Sequence, residues 1–186
     1  MLGLELILAL FAVILIVAII VYYINKIIVS SSTVDNAWSQ IDVQLKKRAD
    51  LVPNLVETVK GYMEHEKDAI RMVTEARERM LGASTMKDRI KAEGELTAAL
   101  KTIFALAENY PTLRASENFR LLQEQLEGIE NKIAYARQFY NDSTLRFNNA
   151  IATIPGRWFA GLVGKNVPRE YFEIPEEEKK PVKVEF

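Results

Sequence analysis

The sequence predicts an all-α protein: an N-terminal transmembrane helix, then a long-helix antiparallel bundle of three to four helices, then an irregular C-terminal tail. Three observations carry this. Leu6 to Ile24 is a run of nineteen apolar or aromatic residues without a charge. Apolar residues then recur at alternating spacings of three and four across most of the next 120 or so positions, the signature of helices with one buried stripe. Pro and Gly are concentrated at the end: four of the six prolines (155, 168, 175, 181) and three of the eight glycines (156, 161, 164) lie in the last 32 residues. The expected divisions are a short N-terminus at 1–5, a transmembrane helix at 6–25, the bundle at 26–154 and the tail at 155–186.

As a helix at about 1.5 Å per residue, Leu6–Ile24 is roughly 28 Å long, close to the roughly 30 Å hydrocarbon core of a bilayer. Tyr22 and Tyr23 stand where an aromatic belt belongs. A cleaved signal peptide is the rival reading, with Ser30–Ser32 resembling a cleavage site. It ordinarily has a basic n-region, and the first five residues hold no Lys or Arg. Lys26, then Lys46, Lys47 and Arg48, follow the apolar run, whereas Glu5 alone precedes it. Positive residues favour the cytoplasmic side. The expectation is a single-pass protein of the cell membrane, held through residues 6–25, with a cytoplasmic bundle. Gly and Pro are absent between Ile24 and Pro53, so the first bundle helix is expected to continue straight from the membrane as a stiff stem.

The rest of the chain, about 160 residues, is long enough for one domain with a core. The full chain's 24 basic and 25 acidic residues argue against nucleic acid as a partner. With no Cys there is neither a lipoprotein anchor nor a disulfide framework.

The first bundle helix shows a seam at Val34, Trp38, Ile41, Leu45, Val52, Leu55, Val59 and Tyr62, with Arg48 at a position that should be apolar. Pro53 interrupts the backbone bonding but not the register, which favours a kink over a loop. The pattern then runs on through Tyr62, Met63, Ile70, Val73, Arg77 and Met80, and Gly82 ends it. Ser84 or Thr85 with Asp88 resembles a capping box and starts the next helix, with Ile90, Leu96, Leu100, Ile103, Phe104 and Ala107 inward. Tyr110–Pro111 stops it. The last long helix is expected from about Thr112 to Ile151. Its stripe is Phe119, Leu122, Leu126, Ile129, Ile133, Ala136, Tyr140, Ser143 and Phe147. Beyond Pro155, Trp158, Phe159, Leu162 and Val163 make a short amphipathic piece. It either folds back over one end of the bundle or lies on the membrane interface. The closing PEEEKKPVKVEF reads as a charged, extended, mobile tail.

Little here supports catalysis. His65 is the single histidine, flanked by Glu64 and Glu66. No Glu-x-x-His exists, because Tyr62 stands three before it, so the di-metal bundle pattern is missing. No Ser-centred elbow or Gly-rich phosphate loop occurs. Glu124, Glu127 and Glu130 recur every three residues and read as a solvated face. The expectation is no enzyme, no catalytic residue, no cofactor and no metal. Polar residues beside the seams are the candidate partner-binding or register-fixing set: Trp38, Gln40, Asp42, Arg48 and Asp50 on the first helix, and Asn118, Asn131, Arg137, Tyr140, Asn141, Phe147 and Asn148 on the last. Buried polar groups in a bundle fix register and partner choice. Either these asparagines satisfy one another or cap helices, or they line a groove for a partner helix or peptide. Arg48 and Arg137 are expected to meet Asp or Glu of neighbouring helices.

Two stretches, VDNAWSQIDVQLKKRADLVPNLVETVKGYMEHE (34–66) and AENYPTLRASENFRLLQEQLEGIENKIAYARQFYND (107–142), with Phe147–Asn148, Ile154–Pro155 and the terminal VKVEF, resemble the LemA family. The likeness covers nearly the whole chain. Members often carry Phe where Ile154 stands, and GLVGKNV differs in detail. The resemblance implies a prokaryotic protein with one N-terminal transmembrane helix, a long-helix bundle and no known catalytic residues. It also implies relatives that work in magnetosome formation and others associated with membrane metalloproteases. The function expected is a membrane-anchored scaffold or adaptor with a protein partner or self-association. A homo-oligomeric membrane-organising assembly is the alternative, and a metal-dependent hydrolase the third reading.

Overall fold

In a computed structural model, which describes residues 2–172, the chain is predominantly helical, with no strand among the described residues. The expected tail 175–186 lies outside them. The helices are α1 (Leu2–Lys60), α2 (Lys67–Gly82), α3 (Met86–Ala107), α4 (Pro111–Ala115), α5 (Glu117–Ala152) and α6 (Gly156–Ala160). Contacts divide the chain into two units. One joins residues up to Ser39 with Arg137–Tyr171, and the other is built on Gln40–Ala136.

The second unit is an up-down-up-down arrangement of helices. Arg77 on α2 reaches Ala49 on α1, so α2 runs back along α1. Arg79 pairs with Glu95 across α2 and α3, at 3.1 Å. Arg89 and Arg48 connect α3 with α1, pairing Asp42 with Arg89 and Arg48 with Glu93, so α3 runs parallel to α1. Phe104 and Phe119 meet edge to face at 5.9 Å and start α5 downward. The seams fill the interior: Ile41, Leu45, Leu55 and Val59 of α1, Val73 and Met80 of α2, Leu96 and Ile103 of α3, and Phe119 and Ile133 of α5 are buried.

Three expectations are corrected. The apolar pattern does not carry one helix from 34 to 82. α1 ends at Lys60, and a turn at 61–66 precedes α2. Gly61 is a poor helix former, and the turn lets Met63, fully buried, take the seam place expected for Tyr62, which is 43% exposed. Nor is the last helix continuous from Thr112. Pro111 opens the separate short α4, Ser116 is extended at ψ 127, and α5 starts at Glu117. This break seats Leu113 in the core. Glu130, expected on a solvated face, is half-buried and turns to Arg48 at 2.9 Å, because the guanidinium in the seam needs a second anion.

Other expectations stand. Thr85 caps α3: its Oγ1 accepts from the Asp88 amide at 3.1 Å and its hydroxyl donates to the Asp88 carboxylate at 2.6 Å. Pro53 lies inside α1, and the helix runs through it. Pro53 has no N–H for the carbonyl of Ala49, four residues earlier. Arg77 supplies the missing donor, its Nε giving a hydrogen to Ala49 O at 3.0 Å. Thus Arg77, a charged residue in the α2 stripe, repairs the bond that proline removes.

The first unit pairs the early part of α1 with the end of α5. Residues 4–19 are exposed on every side, the large apolar ones from 43% to 67%. Such a surface is not stable in water, and the helix is long and apolar enough to cross a membrane. Packing starts at Ile27, fully buried, directly after Lys26. The stretch Ser30–Thr33 stays helical, as the absence of Gly and Pro implies. At the turn into α6, a Cβ on Gly156 would collide with the Ala150 carbonyl oxygen, so only glycine lets the chain pass here.

Candidate functional site

Two polar assemblies stand out, one in each unit. In the bundle unit, Arg48 is only 5% exposed. Its Nη1 donates to Glu93 Oε1 at 3.2 Å and to Thr97 Oγ1 at 2.9 Å, and the Thr97 hydroxyl donates to Glu93 Oε1 at 3.1 Å. Its Nη2 pairs with Glu130 Oε2 at 2.9 Å. The planar fork of Arg suits two anions at once. Glu93 and Thr97 lie one turn apart on α3, so they present one polar step on an otherwise apolar face. Arg48 thereby ties α1, α3 and α5 at a single level, which a slide of any helix by one turn would undo.

In the other unit, the chain's own segment 169–170 is clasped. Asn148 Nδ2 donates to the Arg169 carbonyl at 3.0 Å, and the Arg169 amide donates to Asn148 Oδ1 at 2.8 Å. One amide side chain thus mimics a strand partner for one residue. The Tyr140 hydroxyl donates to the Glu170 carbonyl at 2.9 Å, while Trp38 meets Tyr140 edge to face at 5.7 Å. Arg169 Nη2 pairs with Asp35 at 2.9 Å. Burial pushes the Tyr140 phenol above its ordinary value, since the phenolate would lose water.

The sequence-selected residues therefore divide. Trp38, Tyr140 and Asn148 form the clasp, with Phe147 fully buried beside Asn148 in sequence and Asn141 half-buried one residue after Tyr140. Arg48 forms the register cluster, and Asp42 pairs with Arg89. Asp50 pairs with Lys46 at 2.9 Å along an exposed helix face. Gln40, Asn118 and Asn131 are exposed, and Arg137 is half-buried. Asn118 lines an open groove of about 550 Å³ with Asn54, Glu57, Tyr62, Leu121 and Gln125. Sequence reasoning missed Glu93, Thr97 and Arg169, which meet partners on other segments 21 to 134 positions away. The one available signal was a Glu and a Thr four apart at the inward edge of α3.

His65 is exposed in the α1–α2 turn, within an open basin of about 820 Å³ that Lys60, Glu64, Lys67 and Arg71 also line. Among the described residues, no three His, Asp or Glu side chains converge as a metal site would need.

Fold and sites together define a membrane-associated long-helix protein with a buried arginine paired to two acids inside its bundle. The LemA family model matches residues 37–186, and the chain belongs to the LemA family. It is also 32% identical over 87 residues to the magnetosome protein MamQ of Magnetospirillum gryphiswaldense, covering 46% of this chain and 31% of that protein. To magnetosome protein MamQ 2 of Paramagnetospirillum magneticum it is 29% identical over 87 residues, covering 47% and 32%. The matched part spans about a third of the length of these relatives.

Proposed function

We propose that this protein is a single-pass membrane-anchored scaffold or adaptor without catalysis of its own, with its bundle on the cytoplasmic side. The observation that carries the reading is α1 itself. One unbroken helix, Leu2–Lys60, begins as a fully exposed apolar span and ends as a bundle helix, with no loop between the two roles. A device that only attached a domain would need no such continuity. Lys26, the first charge after the apolar run, supports the cytoplasmic side. The groove beside Asn118, with Tyr62 43% and Leu121 51% exposed, offers a partner mixed apolar and amide contacts. Association with a membrane metalloprotease, which the family resemblance implies, is one form this role takes.

Crosslinking in native membranes, followed by mass spectrometry, tests the reading. It predicts crosslinks from the Asn118 groove to one recurrent protein partner. A protein that is monomeric after detergent extraction and recovers no partner contradicts it. The homo-oligomeric alternative draws on Tyr135, 74% exposed on α5. It predicts crosslinks between copies at that position instead.

A further inference from the structure

The end of α5 and α6 carry an exposed apolar set that the bundle does not use. Ile154, Trp158, Leu162 and Val167 are 68%, 65%, 75% and 71% exposed. Their place in the fold says what meets them. Phe159, the residue after Trp158, stacks on Tyr23 with centroids 6.4 Å apart and planes at 26°. Tyr23 packs edge to face on Tyr22 and lies under the Lys26 ammonium at 5.8 Å, so it marks the end of the apolar run. Thus α6 is held at the level where a membrane would give way to water. The local charge is of one sign. No acidic residue occurs between Glu5 and Asp35, nor between Asp142 and Glu170, while Lys26, Arg157 and Lys165 fall in those intervals.

We propose that α6 and the turn after it form a second, in-plane membrane contact, in which Trp158 and Leu162 enter the lipid interface beside the span and Lys26, Arg157 and Lys165 face anionic headgroups. Trp is favoured at this depth because its ring is apolar and its N–H still finds water. Basic side chains on short interfacial segments are drawn to anionic lipid. The contact rests on the reading of residues 6–25 as a membrane span. It makes the anchor two-footed: the span fixes depth, and α6 fixes rotation about the α1 axis.

The absence of Cys makes the test direct. The full chain carrying Leu162→Cys, labelled with an environment-sensitive fluorophore, is placed in nanodiscs of phosphatidylcholine with phosphatidylglycerol. Gln138→Cys, on the exposed side of α5, and Ile14→Cys, within the apolar run, are labelled in parallel. The expected result is a blue-shifted Leu162 label, several-fold less accessible to aqueous iodide than the Gln138 label, and losing part of that protection in neutral discs. Equal accessibility at 162 and 138, with Ile14 protected, overturns the α6 contact and leaves the span intact. Iodide access at Ile14 means that the span reading itself has failed. Protection at 162 that is unchanged in neutral discs overturns the headgroup pairing. As an independent readout, Trp38→Phe leaves Trp158 as the sole tryptophan, and brominated lipids should quench its emission. Emission that only aqueous quenchers reduce overturns the proposal.

Discussion

Replacing Arg77 by Ala should destabilise the protein by much more than a surface arginine would, and Pro53→Ala should remove most of that cost. The reason is the orphaned carbonyl of Ala49, which receives its hydrogen from Arg77 Nε at 3.0 Å because residue 53 has none to give. Ala49 is fully buried, so water does not replace the arginine easily. A hydrogen bond from a charged donor is worth about 1.5–3 kcal/mol. At about 2–4 °C per kcal/mol for a chain of this size, Arg77→Ala should lower Tm by roughly 3–12 °C. With Pro53→Ala present, the backbone amide gained at position 53 supplies the bond within the helix, and the same change should cost under about 1 kcal/mol, mostly lost alkyl packing. The coupling in the double-mutant cycle is then about 1–2 kcal/mol. Thermal unfolding of the four proteins in one detergent, followed by circular dichroism at the helical minimum, reads it. Additive effects of the two substitutions would refute the repair.

Arg48→Met strands Glu93, whose side chain is 4% exposed, and should cost about 3–5 kcal/mol. Adding Glu93→Gln should recover a large part of it, which the same melts would show. Asn148→Ala removes both bonds to the Arg169 backbone. It should cost about 1–3 kcal/mol and expose the Arg169 amide to rapid hydrogen exchange. Tyr140 has its phenol raised by burial, so its contribution is complete below the unfolded value of about 10 and is lost as pH rises through the folded value. Melts above pH 10 should fall more steeply for the wild type than for Tyr140→Phe.

What the sequence made legible follows from which forces are local. Helical seams are set by periodicity, so Ile41, Leu45, Leu96 and Phe119 were identifiable as core. Capping at Thr85 depends on four adjacent residues and was equally plain. Arg48 showed itself as a charge in an apolar seam, but its partners Glu93 and Thr97 looked like ordinary polar positions of α3, because pairing over 45 or more residues leaves no periodic trace. The turn at 61–66 was hidden because apolar spacing continued by coincidence across Gly61. Trp38, Tyr140 and Asn148 were singled out as beside the seam, and the structure gives them a shared object, the backbone at Arg169 and Glu170. Segment 169–170 could not be assigned to them beforehand, since backbone groups recognised by an Asn carry no residue signature. Arg77 shows the same limit: its role is set by a missing N–H on another helix.

The central claim is that one helix carries the chain from the membrane into the bundle without a flexible joint. Hydrogen exchange of the full chain in nanodiscs, resolved along residues 24–45, measures this most directly. The account predicts continuous amide protection through Ser30–Thr33, with Ser30–Ser32 resistant to added protease. A fast-exchanging, cleavable gap at those serines, flanked by protected segments, would contradict it.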